Sequence, residues 1–416
     1  MVRDTRIKVH HLTRVEGHGD ITVEIKDGRL ETVRFAVVEA PRFFEAFLRG
    51  LNYTEVTHLA SRICGICAVS HKCAALKAAE AAFDVEISEQ SRLLRQLAYH
   101  GEVISSHILH IYFLAGPDFF NVPSIFPLLK TKGKMVARAM RLKNLGYDLS
   151  ALVGGRHTHP VAMTVGGFTF VHCRTDLEQM KNRLADALED IQEVIRDFKA
   201  LEFPAFERQT RYVSLKHPER YAFYEGEIFS SGGMTVAPER YREVIQEYVV
   251  PYSTAKYARW QDCEYMVGAL ARVNNNYAQL LPPARAAADE LGLKIPCFNP
   301  FMTTAAQIVE SVHCLHDSAA LLDRLLKSGI RPDRSCTEVS LRPGRGIGAV
   351  EAPRGILFHE YAYDGRGNCE AANHVIPTAQ NLANLEADMR ALVPMVMVDT
   401  KASLTRRLEM LVRAYC

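Results

Sequence analysis

Residues 62–71 read Arg-Ile-Cys-Gly-Ile-Cys-Ala-Val-Ser-His and hold the only C-x-x-C pair, Cys64 and Cys67, among the ten cysteines of this 416-residue chain. Paired thiolates at this spacing bind a soft metal or carry out redox chemistry. A helix beginning near Cys64 puts Cys64, Cys67 and His71 at i, i+3 and i+7, on one face, and turns Cys73 to the other side. A structural zinc closed by Cys73 then lacks the four convergent ligands such sites use. A thioredoxin-like pair expects a βαβ setting, whereas the flanking pattern is helical. On spacing alone, metal binding, redox exchange and plain packing stay open.

Upstream, the first forty residues alternate like strands: IKVHHL, then DITVEIKDGRLETVRFAVV, with Asp27-Gly28 between two alternating runs as a hairpin signal. Beyond Leu51 the pattern turns helical. The spacing predicts a helix over 88–114, with Leu93, Leu97, Ile104, Ile108 and Leu109 on its apolar stripe. Another follows Thr175, carrying Leu177, Met180, Leu184, Leu188, Ile191, Ile195 and Phe198, with Thr175-x-x-Glu178 read as a capping box. Further helices are expected over 238–257, 264–290, 303–328 and 400–414, and a Gly/Pro-rich β patch over 337–363. Gly344-x-Gly346-x-Gly348 is a weak dinucleotide signal, because no strand-then-helix unit follows it. The expected architecture is α+β and mostly α: a large helical-bundle body with a small N-terminal β-hairpin region and a short C-terminal β patch. Residues 1–50 are expected as a β-rich segment packed on a helical body of residues 51–416, one structural unit overall.

A net charge of +2 leaves no electrostatic footprint for nucleic acid. No run approaches the roughly eighteen apolar residues of a spanning helix. The N-terminal MVRDTRIKVHHL lacks the apolar core of a secretory signal. The remaining cysteines are scattered singly, which suggests a reducing compartment, and the expected location is the cytoplasm.

The string Arg62-x-Cys64-Gly65-x-Cys67-x-x-x-His71 resembles the N-proximal metal motif of the large subunit of [NiFe]-hydrogenases, and it does not stand alone. Thr13-Arg14-Val15-Glu16-Gly17-His18 is similar to the R-x-E-G-H signature of that family, and Ala40-Pro41-Arg42-Phe43-Phe44-Glu45 to its magnesium-binding glutamate segment. His107-x-x-His110 with Tyr112 and Asp118 is similar to the family's histidines that stand behind the metal ligands and to the canopy over the metals. Gly154-Gly155-Arg156-His157-Thr158-His159-Pro160, Glu351-Ala352-Pro353-Arg354-Gly355 and Ile376-Pro377-Thr378 match further blocks. The matches run in order from residue 13 to residue 378, nearly the whole chain.

This resemblance implies a site. Cys64 and Cys67 hold nickel, and Cys67 also bridges to an iron carrying CO and cyanide. Glu45 binds Mg2+, and Asp118 belongs to the canopy over the metals. Arg354, with Pro353 beside it, projects over the open position and hydrogen-bonds a cyanide. The Thr378 hydroxyl meets the other cyanide, and His71 flanks the cofactor. The implied reaction is reversible heterolytic cleavage of H2, with Arg354 or a cysteine thiolate taking the proton and Glu16 carrying it outwards. The chain has no cysteine array for an iron–sulfur cluster, so electrons leave through an iron–sulfur small subunit. The segments 41–45 and 62–67 look most like the cytosolic, bidirectional group. Its members feed F420, NAD(P) or heterodisulfide reductase through further flavin- or heterodisulfide-reductase-type subunits.

The pattern departs from the family at 411–416, which reads Leu-Val-Arg-Ala-Tyr-Cys. The family continues Arg-Ala-Tyr into Asp-Pro-Cys-x-x-Cys; here Cys416 stands at the aspartate position. Three expectations follow: a tail beyond this sequence, Cys416 as a third thiolate of a modified site, or loss of nickel from the subunit. The last belongs to a second reading, a non-catalytic hydrogenase-like subunit with a structural or proton-handling role.

Overall fold

The computed structural model describes residues 4–39, 42–332, 339–397 and 400–416. Ala40, Pro41, Cys336 and the first residues of the expected 337–363 patch lie outside them. The alternating N-terminal runs form three antiparallel strands, β1 (Thr5–Val9), β2 (Gly19–Lys26) and β3 (Arg29–Val37), in the order β1-β2-β3. Asp27 and Gly28 both take positive φ, 52° and 71°, the pairing that a tight two-residue hairpin turn demands.

The helical body follows with α1 (Phe43–Phe47), α2 (Tyr53–Ala60), α3 (Ala68–Phe83), α4 (Glu89–Leu109), α5 (Gly133–Gly154) and α6 (Arg174–Lys199). Ser88 caps α4 by accepting from the Ser91 N–H, and the helix runs on as a π-helical stretch, His110–Ala115. Together these fill the 88–114 expectation. The capping box at Thr175 does not form: α6 starts two residues earlier than it requires, at Arg174 with Cys173 as its N-cap, and Glu178 pairs with Arg174 at 2.8 Å.

The 238–257 helix is corrected to a 3-10 turn, Pro238–Glu243, and two antiparallel strands, β4 (Ile245–Tyr248) and β5 (Tyr257–Trp260). Val244, Ile245, Tyr248, Val249 and Val250 are β-branched or aromatic, and Pro251 stops any helix through them. The 264–290 stretch breaks into a short strand, Tyr265–Met266, and two helices, Ala269–Asn276 and Pro282–Glu290; the Pro282-Pro283 pair restarts the chain. The 303–328 expectation is met by α7 (Thr303–Ser328). Three antiparallel strands then follow in the order β6 (Gly344–Ala352), β7 (Gly355–Tyr363) and β8 (Cys369–Val375), the last of them beyond the expected 337–363 patch. The chain ends in α8 (Pro377–Val396) and α9 (Lys401–Ala414).

Two packings position the site. The N-terminal sheet buries Ile21, Val23 and Phe35 with Leu382, Leu385 and Met389 of α8 and Leu404 and Leu408 of α9. The helix α3 lies directly on β6. A Cβ built on Gly344, Gly346 or Gly348 would stand 2.2, 2.0 and 2.0 Å from the carbonyl oxygens of Ala82, Ala78 and Ala74. The Gly-x-Gly-x-Gly run is therefore one face of a strand that admits an alanine-rich helix, and not a nucleotide loop.

Candidate metal centre

Five segments distant in sequence meet at one cavity of about 450 Å³, which is lined by Glu16, Cys64, Cys67, His71, Arg354, Thr378 and Cys416 among others. Cys64 follows a 3-10 turn in extended backbone, and Cys67 is the N-cap of α3, so the helix begins at Ala68 and not near Cys64. The pair thus sits in the loop before the helix, with a Cα–Cα distance of 5.4 Å and the two sulfurs bonded to each other in this structure. Metal ligation requires the reduced pair as thiolates. Cys73 points away and is buried, its thiol pushed up to about 12 by burial. Among the described residues, Glu16, Cys64 and Cys67 form the one group of acidic, histidine and cysteine side chains close enough to hold a metal ion together.

Glu16 lies at the centre of the contacts. Its Oε1 is 3.1 Å from Cys64 Sγ, its Oε2 is 3.0 Å from Arg354 Nε, and its backbone N–H donates to Cys416 Sγ at 3.3 Å. Burial pushes the Cys416 thiol up, while the Arg354 charge pulls it down. Arg354 donates from Nη1 to Ser106 Oγ at 3.0 Å; its Nε meets Glu16 as an ion pair without hydrogen-bond alignment, and its Nη2 is buried with no hydrogen-bond partner. A cationic donor left open in a cavity with three sulfurs fits a soft metal centre carrying polar ligands. Thr378, in the first turn of α8, lines the cavity and is exposed towards it. His71 meets His359 through Nδ1 at 2.9 Å and stays neutral, its value driven down to about 3 by burial and the nearby His374.

Several supporting residues escaped the sequence. Arg272, fully buried, donates to the Ala352 and Pro353 carbonyls at 2.9 Å each and so clamps the turn that presents Arg354. It pairs with Glu310 at 2.6 Å and Glu351 at 3.0 Å. Burial works to raise Glu310, but Arg272 outweighs it and holds that carboxyl down to about 2. Glu102 accepts the Val69 and Ser70 N–H groups at 2.5 and 3.0 Å and closes the first turn of α3 from α4. For Glu102 the available signal was a lone charged residue among the apolar positions of a helical run; for Arg272 the sequence offers none. His107 bonds Glu310 at 2.7 Å and His110 bonds the Arg413 carbonyl at 2.6 Å, as buried core histidines.

Two expected site residues sit elsewhere. Asp118 is bound to Arg14 at 2.6 Å and to Arg413 at 2.9 Å, outside the cavity wall, where it positions two chain segments. Glu45 is also away from the cavity, with its carboxylate on the Lys256 ammonium at 2.8 Å and on the His374 N–H at 3.0 Å. A magnesium ion at Glu45 does not fit this arrangement, because the place of the cation is taken by Lys256.

The family profile described as nickel-dependent hydrogenase matches residues 42–143, and one described as HoxL-like matches residues 6–40. The chain is 33% identical over 411 residues to the sulfhydrogenase 1 alpha chain of Pyrococcus furiosus, covering 98% of this chain and 95% of that one. It is 32% identical over 450 residues to an F420-non-reducing hydrogenase subunit of Methanothermobacter thermautotrophicus, covering 99% and 93%. Its fold is similar to a solved NAD+-reducing [NiFe]-hydrogenase in the H2-reduced state, with a TM-score of 0.86 and 26% identity over 99% of this chain and 97% of that one. With the cysteine pair, the arginine turn and the glutamate loop at one cavity, the chain belongs to the nickel-dependent hydrogenase large-subunit family, oxidoreductases that act on H2.

Proposed function

We propose that Cys64, Cys67 and Cys416 are the sulfur ligands of a nickel–iron centre in this chain, and that Glu16 and Arg354 handle the protons of reversible H2 cleavage there. The observation that carries this reading is their convergence on one cavity from residues 16, 64–67, 354 and 416. When bound, the metals supply Lewis acidity and electron-accepting capacity for H2. Arg354 holds a fixed positive charge at the cavity and would offer its open Nη2 to a cyanide ligand of the iron, with Pro353 beside it in the same turn; Thr378 would offer its hydroxyl to the other cyanide. Glu16, within reach of both Cys64 Sγ and Arg354 Nε, accepts a proton released at the Cys64 sulfur and passes it outwards, with the Arg354 charge holding its carboxylate in place.

Each turnover releases two protons and two electrons. Outside the Cys64–Cys67 pair, the other described cysteines lie singly, so an iron–sulfur small subunit receives the electrons. One relative, from Archaeoglobus profundus, is named as an iron-sulfur subunit of an F420-non-reducing hydrogenase. A flavin- or heterodisulfide-reductase-type protein is the proposed onward acceptor, and the cytoplasm the proposed location. No helix among the described residues is long and apolar enough to cross a membrane. The non-catalytic alternative is not favoured, since the cysteines and the arginine proposed for the site line one cavity together.

Metal analysis and infrared spectroscopy of the purified complex test this reading. The expected result is one nickel per chain, with bands from CO and cyanide. Zinc alone, or no transition metal, refutes it.

A further inference from the structure

Lys256 stands just before β5, facing three other elements. Its Nζ lies 2.8 Å from Glu45 Oε1 on α1, 3.1 Å from Glu247 Oε2 on β4 and 3.2 Å from Asn373 Oδ1 on β8. Each of the three ammonium N–H groups therefore has its own oxygen. The side chains are largely enclosed, with 17% of Lys256, 19% of Glu45 and 16% of Glu247 exposed. The oxygen set continues beyond the lysine: Glu45 Oε1 also takes the His374 N–H at 3.0 Å, and Glu247 Oε1 is buried without a partner.

Two carboxylates and an amide oxygen make a hard donor set of the kind that suits magnesium. The ammonium already occupies the point where those oxygens converge. A divalent ion at that point would need oxygens at about 2.0–2.1 Å and would sit against a second positive charge. We infer that Lys256 is a tethered cation that takes the place of a divalent ion at Glu45, so that the corner joining α1, β4, β5 and β8 is held together without magnesium. A cation carried on the chain is not lost to chelators or dilution. The corner matters to the site because Phe44, next to Glu45, and Ile376, next to the end of β8, both line the metal cavity. The inference stands apart from the sulfur ligands, and nickel content measured in the same samples separates the two.

The test uses the purified complex, dialysed against EDTA, with magnesium content and thermal unfolding read in parallel. Wild type is expected to hold no stoichiometric magnesium and to unfold at one temperature with and without millimolar MgCl2. Lys256→Ala is expected to unfold several degrees lower in EDTA, and to recover with MgCl2 while binding one magnesium per chain. The inference is overturned by a wild type that keeps one magnesium through dialysis or gains stability from MgCl2. It is equally overturned by a Lys256→Ala midpoint that stays at the wild-type value in EDTA or does not respond to magnesium. Should Lys256→Ala fail to accumulate, the wild-type magnesium content decides alone: none supports the inference, one tightly held ion refutes it.

Discussion

Arg354 is held at two points, by an ion pair of its Nε with Glu16 and by a hydrogen bond from Nη1 to Ser106, and its Nη2 has neither kind of partner in the protein. A planar guanidinium can keep both anchors and still present a donor to the cavity; a lysine ammonium is a single point that must choose. Arg354→Lys is accordingly expected to retain nickel and to lower H2-dependent dye reduction by about 100-fold or more, the scale for losing an oriented charged donor. Unchanged activity per nickel would show that the fork is not used. At this scale the sequence was most informative where residues sit in local strings: Cys64 and Cys67, Glu16, Pro353 and Arg354 could all be named from their neighbours. It was silent on Arg272, whose partners Glu310 and Glu351 lie 38 and 79 residues away. A single arginine inside Ala-Leu-Ala-Arg-Val carries no pattern; only folding supplies its carboxylates.

The element that sets the cysteine loop is α3, and what sets α3 is the glycine face of β6. Gly346 is the tightest point, because a methyl there would stand 2.0 Å from the Ala78 carbonyl and 2.5 Å from the Ala82 nitrogen, both backbone atoms that no rotamer change can move. Gly346→Ala is expected to cost about 1–3 kcal/mol, the usual range for overpacking. The shift it forces on α3 is carried to Cys67 at the N-cap, so nickel occupancy should fall together with the unfolding midpoint. A variant with wild-type midpoint and full nickel would show that β6 yields instead. Legibility at this level followed the strength of the local pattern. Long stripes such as 303–328 read correctly, because a 3.6-residue period over many turns has one solution. The 238–257 stretch did not: Val-Ile-Gln-Glu-Tyr-Val-Val suits either period, and the choice of strand rests on the β4–β5 pairing. The glycine run carried information about packing that becomes readable only once the alanines of α3 are set beside it.

Across the whole molecule, the two ends of the chain are joined at the site. The N-terminal sheet packs on α8 and α9, and the loop bearing Glu16 meets the segment bearing Cys416. Asp118 ties the two together: it holds Arg14, two residues before Glu16, at 2.6 Å and Arg413, three before Cys416, at 2.9 Å. Arg413 in turn donates to the Thr13 carbonyl at 3.1 Å, and its own carbonyl takes the His110 ring N–H at 2.6 Å. The resemblance placed Asp118 over the metals, but its geometry is that of a clasp. Asp118→Asn keeps the shape and removes the charge, leaving Arg413 buried and Arg14 nearly so without their shared carboxylate. Breaking a buried pair in this way costs about 3–5 kcal/mol. Because both released segments carry site residues, the variant should lose nickel as well as stability, whereas a clasp unrelated to the site would lose stability alone. Calorimetry with nickel analysis on the same preparations separates these results. A variant that unfolds early but retains a full complement of nickel would mean that Glu16 and Cys416 are held in place by other contacts.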